Sequence, residues 1–110
     1  MRDLFGDDAD AAPAADLRAR WRDLVERRLP AAAAGRPDWP VREDHCFARI
    51  LLDHAHGRPW REVVTPPAWR NTEVAVLRRA VVTGEAVLAG KADLAALNRQ
   101  SLTLRGKAPR

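Results

Sequence analysis

Apolar residues in this chain recur at intervals of three and four, and prolines fall between the runs. That combination allows little except helices separated by breaks. Within PAADLRARWRDLVERRLP, the residues Leu17, Trp21, Leu24 and Val25 follow i, i+4, i+7, i+8. The spacing predicts a first helix with Pro13 in its opening turn and Pro30 stopping it. AAAAGRPDWP comes next and is ambiguous. Its alanines can prolong a helix, whereas Gly35, Pro37 and Pro40 make a loop.

A second helix is expected from Val41 to His56, with Phe47, Ile50, Leu51 and His54 on one face and Gly57 as its C-terminal cap. In RPWREVVTPPAWRN, Pro59 can open one short turn, and Pro66-Pro67 forbids its continuation. Asn71 or Thr72 then caps a third long helix with Glu73 in its first turn and Val74, Leu77, Val81, Gly84 and Leu88 along its stripe. Gly84 sits within that stripe, where the missing side chain lets another helix approach closely. Gly90 ends the helix. A last helix has Asp93 as its cap and Leu94, Leu97, Ser101 and Leu104 on one side.

No window sustains the alternation of a strand. The expected fold is therefore all-α: a small bundle of three long helices plus a shorter fourth, with a proline-rich connection. At 110 residues the chain suits one domain with a thin core. Residues 13–104 form that domain. Residues 1–12 are expected to be a disordered acidic tail, and residues 105–110 a basic one.

The net charge of +4 is unevenly spread. Residues 1–16 hold five Asp and one Arg, leaving 18 bases against 10 acids in the remainder. A basic body can attract nucleic acid or an anionic surface, but nearly all the bases are Arg in a chain also heavy in Ala and Pro, and compositional bias is the stronger explanation. REVVTPPAWRNTEVAVLRRA superficially suggests a helix-turn-helix with Asn71–Ala80 as reader. Two prolines occupy the connection and no glycine stands at the turn, which leaves only Arg78 and Arg79, and these can equally be a solvated face. Cys46 is the sole cysteine, which excludes an intrachain disulfide and suits a reducing compartment. The acidic start lacks the apolar run of a signal peptide, and no stretch has the apolar length of a membrane span. A cytoplasmic protein with no membrane association is expected.

All three histidines and the cysteine fall within DHCFARILLDHAHGRPW. On a helix they disperse. His54 falls in the apolar face, His45 and His56 lie opposite it, and Cys46 shares a flank with Asp53. His45 and His56 are separated by roughly 16 Å along the axis, too far for one metal ion. Cys46 and His45 diverge by about 100°, a poor nucleophile–base pair. No metal and no cofactor are expected. His54 in an apolar stripe needs a hydrogen-bond partner, and a cleft lined by His54, Trp60 and Trp69 is one way to supply a site. In GRPWRE, helix-start N–H groups flanked by Arg58 and Arg61 could hold a phosphate or carboxylate.

DHCFARILLDHAHGRPWREVVTPPAWRN, with EAVLAGKADLAALNRQSLTLRGK behind it, resembles a family of short bacterial proteins that carry the label GNAT-related acetyltransferase. The resemblance covers about residues 16–107. The label implies a mixed α/β fold and an acetyl-CoA loop of the form Q/R-x-x-G-x-G/A. Here the nearest segments are VVTGEA and VLAGKA, with Val81 and Val87 where Gln or Arg belongs, and both fall in or at the end of a helix.

Two functional readings follow. The first is a non-enzymatic helical module that binds a protein partner or itself as a homodimer, with Trp39, Trp60 and Trp69 as contact residues. The second is a ligand-binding or acyl-transfer protein that uses His54 with Cys46, or binds an anion through Arg58, Trp60, Arg61 and Trp69. Nucleic-acid binding ranks third.

Overall fold

The structure, a computed structural model, describes residues 13–107. The acidic segment 1–12 and the last three residues of the basic tail lie outside the described residues. Among those described there is no strand. The all-α expectation holds, and the α/β architecture implied by the acetyltransferase label is not that of this chain.

The first helix, α1, runs over residues 14–33, past the proline expected to stop it. It does so by changing pitch. Ala14–Asp23 is α-helical, Leu24–Arg28 is a π-helical segment, and Leu29–Ala33 is α-helical again. In a regular α-helix Pro30 would lose one hydrogen bond and push its ring into the carbonyl of residue 26. The wider π turn just before it, in which the Leu29 N–H reaches back to the Leu24 carbonyl, removes that conflict. The alanines thus extend the helix, and Gly35 falls just beyond its end.

The second helix, α2, is Asp44–His56, three residues shorter at its start than expected. Residues 41–43 are held out of the helix by Arg42. Its guanidinium reaches back to the carbonyls of Ala33 (2.7 Å) and Arg36 (3.2 Å), closing the C-terminal end of α1. After α2 the proline-rich connection carries a single 3-10 turn, Trp60–Glu62, and a short helix, α3, Ala68–Asn71. Asn71 belongs to that short helix, so neither it nor Thr72 caps the next. The third long helix, α4, is Val74–Leu88 with Glu73 at its N-cap.

Helix α4 ends at Gly90, whose φ of 75° lets the Lys91 N–H turn back to the Ala86 carbonyl at 2.8 Å. The last helix, α5, is Leu94–Leu104, and Asp93 caps it as expected by accepting from the Ala96 N–H at 3.1 Å.

Helix α2 is the centre of the bundle, packed against α1, α4 and α5. That is why five of its residues are buried (Phe47, Ile50, Leu51, Leu52 and Asp53), an arc wider than a single apolar stripe. Each fully buried Leu, Ile or Phe contributes roughly 1.5–3 kcal/mol. Gly84 marks a close crossing: a Cβ there would lie 2.6 Å from Cδ2 of Leu24 and 3.0 Å from Cδ1 of Leu51, so α1, α2 and α4 meet where it has no side chain. Trp39 is buried and meets the Phe47 ring edge-on, with centroids 5.8 Å apart. It belongs to the core and is not available as a contact residue.

Candidate functional site

Helix α2 is continuous across the histidine-rich segment, and it spreads those side chains along and around its axis. His45 lies exposed near its first turn, 3.5 Å from carboxylate oxygens of both Glu43 and Asp44. Cys46 is half-buried with a free thiol. His56, at the other end, has its Nε2 buried without a hydrogen-bond partner among the described residues. Burial pushes its pKa below the ordinary histidine value; Asp53 opposes that shift and Arg79 adds to it. Among the described residues no three His, Cys, Asp or Glu side chains converge on a point where a metal ion could sit.

The residue at the buried centre is the aspartate beside them. Asp53 is fully buried. One of its oxygens accepts from Ser101 Oγ (2.7 Å) and Arg105 Nε (2.7 Å), the other from the Trp60 N–H (2.9 Å) and Arg105 Nη2 (3.1 Å). Ser101 accepts in turn from Arg49, which also donates to Asn98. The network joins α2, the 3-10 turn and α5, and it satisfies a charge that would otherwise be costly to bury. It also answers what the GRPWRE turn binds: the carboxylate held by its Trp60 N–H is the chain's own. Arg58 approaches Glu62 at 3.5 Å, and Arg61 stacks over the Trp60 ring at 5.0 Å.

His54 is exposed, not buried in the apolar face. The interior arc of α2 is filled on that side by Asp53 and Leu52, which turns His54 toward α5. There its Nδ1 lies 2.8 Å from Oε1 of Gln100, so Nδ1–H donates and Nε2 is left as the ring's acceptor when neutral. The expected cleft of His54, Trp60 and Trp69 does not form. Trp60 and Trp69 instead line a separate depression of about 210 Å³ with Trp21 and His45. Within it the Trp69 ring is already stacked by Arg22 at 4.9 Å and Arg70 at 5.4 Å.

His54 stands in a different feature, a groove running along α4. Two adjoining depressions, of about 530 and 600 Å³, share His54, Val82 and Thr83. One continues toward the start of α4, past Ala75, Arg78 and Arg79. The other continues past Ala86 to Asp93, Ala96 and Leu97 of the α5 segment. Val82, on the wall, is 61% exposed, whereas its neighbour Val81 is 3% exposed. Val82 lies off the predicted stripe of α4. The second of two adjacent valines was the signal for it in the sequence, since one helix face cannot bury both.

No family model matches the chain, and no curated protein or solved structure is significantly similar to it.

Proposed function

We propose that this chain is a non-enzymatic helical module that docks a protein partner in the groove along α4. The exposure of Val82 carries this reading. Among the described residues just two large hydrophobic side chains are exposed, Val63 and Val82, and Val82 stands in a concave, mostly apolar surface. Concave apolar surfaces with a few polar groups at their edges suit the apolar face of a partner helix. The half-buried tryptophans Trp60 and Trp69 form a secondary surface at most, because arginines of the chain already stack on them. The free, half-buried Cys46 supports a reducing, cytoplasmic setting.

Catalysis by a Cys46–His54 pair is disfavoured. Cys46 is absent from both depressions that His54 lines, and the ring of His54 is held by Gln100. Nucleic-acid binding finds less support in the groove, where Asp93 at one end opposes a continuous phosphate track past Arg78 and Arg79 at the other.

The test compares wild-type chain with Val82→Glu and Val63→Glu as baits. A partner retained by wild type and by Val63→Glu, and lost with Val82→Glu, is the expected result. Equal retention by all three baits removes the reading. A second reading, a small-ligand or acyl-group site, is favoured by the place of His54 in both depressions. It predicts a rise in Tm with acetyl-CoA, phosphate or zinc, where the docking reading expects a change within about 1 °C.

A further inference from the structure

We infer that the partner seated in this groove is a second copy of the chain, paired about a two-fold axis that passes beside Val82. This rests on the docking reading above and deepens it. The groove is electrically bipolar. Arg78 and Arg79 line one depression, and Asp93 lines the other, with the shared residues His54, Val82 and Thr83 between them. A two-fold rotation lays a surface on its own reverse, so a groove basic at one end and acidic at the other is complementary to itself.

Arg79 and Asp93 are exposed, and Arg78 is partly buried with its Nε enclosed. Among the described residues neither Arg78 nor Arg79 has an acidic partner; Arg79 makes one long bond, 3.4 Å, to the carbonyl of Ala55. Asp93 engages one oxygen, Oδ1, as helix cap, and its second oxygen has no partner among the described residues. The apolar part fits as well. Val82 is exposed on α4, and the lining around it includes the small residues Ala55, Ala75, Ala86 and Ala96. A ridge flanked by small residues lets the equivalent ridge of a second helix enter the groove, and near the axis Val82 meets the Val82 side of the other copy.

Occupants of a single charge match half of this surface. The acidic segment 1–12 of the chain would satisfy the arginines and face Asp93 with like charge. A basic partner would do the reverse. A second copy pairs both ends at once, and each substitution is present in both copies, so its effect counts twice.

Sedimentation equilibrium of the full chain tests this over about 5 µM to about 500 µM. Val82→Glu is a fair probe because the side chain is exposed and Glu is a good helix former, and circular dichroism checks that its helicity is retained. Asp93→Asn removes the charge and keeps the cap, and Arg79→Gln removes the opposite charge. The expected result is a concentration-dependent dimer weakened by more than about tenfold in Val82→Glu and several-fold in each charge variant. A wild-type chain that stays monomeric throughout overturns the pairing and leaves the docking reading to its own test. A dimer indifferent to Val82→Glu overturns the pairing and shows that the groove is not its interface. A dimer that responds to Val82→Glu and to neither charge variant overturns the two-fold register. A synthetic peptide of residues 1–12 that shifts the NMR signals of Val82 and His54 in a monomeric chain assigns the groove to that segment, and equally overturns the pairing.

Discussion

Removing the carboxylate of Asp53, or the guanidinium that faces it, is the sharpest test of how this bundle is held. Asp53 is fully buried and receives four hydrogen bonds, two of them from Arg105, whose side chain is 24% exposed. Breaking a buried ion pair from one side costs about 3–5 kcal/mol, chiefly because the surviving charge is left without compensation. The two singles are therefore unequal. Arg105→Leu strands a carboxylate with no exposure, and the Ser101 hydroxyl and the Trp60 N–H compensate for part of its charge; a loss of about 3–4 kcal/mol is expected. Asp53→Asn keeps shape and one acceptor, and the partly exposed Arg105 can turn to water, so the loss is about 2 kcal/mol. The double variant strands neither charge, so its loss should be smaller than the sum of the two single losses by at least about 1.5 kcal/mol. Urea unfolding followed by tryptophan fluorescence, with circular dichroism alongside, measures all three. In a domain of this size about 1 kcal/mol corresponds to about 4–8 °C in Tm, so thermal scans would show Arg105→Leu plainly. Singles below about 1 kcal/mol that add within about 0.5 kcal/mol would refute the assignment of this network as the tie between α2, the 3-10 turn and α5.

Two other predictions concern packing and protons. Gly84→Ala should destabilise by about 1–2 kcal/mol, because overpacking against the buried Leu24 and Leu51 outweighs the roughly 1 kcal/mol by which alanine favours a helix; Gly35→Ala, with only a backbone oxygen 3.8 Å away, should be neutral or stabilising. Equal effects at the two glycines in denaturant melts would remove the close crossing. His56, whose pKa is lowered in the folded state by burial against the opposing pull of Asp53, binds its proton more readily when unfolded. Its share of stability is therefore complete above the unfolded histidine value of about 6.5 and falls as pH drops through the lowered folded value. The urea midpoint should decline between about pH 7.5 and about pH 5.5 in wild type and decline less in His56→Gln, and identical slopes would count against a buried neutral imidazole.

The helices were legible in the sequence because each is specified locally. Apolar residues at helical spacing, Gly57 and Gly90 at the ends of α2 and α4, and Asp93 before α5 all act within one or two turns of backbone. Even Gly84 announced a close approach, since a glycine in an apolar stripe has little other use there. What lay beyond the sequence involves residues far apart in the chain. Arg42 holds residues 41–43 out of α2 only because the end of α1 is within its reach, and Pro30 is tolerated because the helix before it widens into a π turn. The exchange of Asp53 for His54 as the interior residue has the same origin. A helical wheel ranks faces by hydrophobicity, but α2 is surrounded on three sides, and Arg105 and Ser101, about fifty positions away, offer a buried carboxylate the hydrogen bonds that allow it to be there. Local periodicity sets which segments coil; which polar group enters the interior depends on donors that only the assembled bundle brings together.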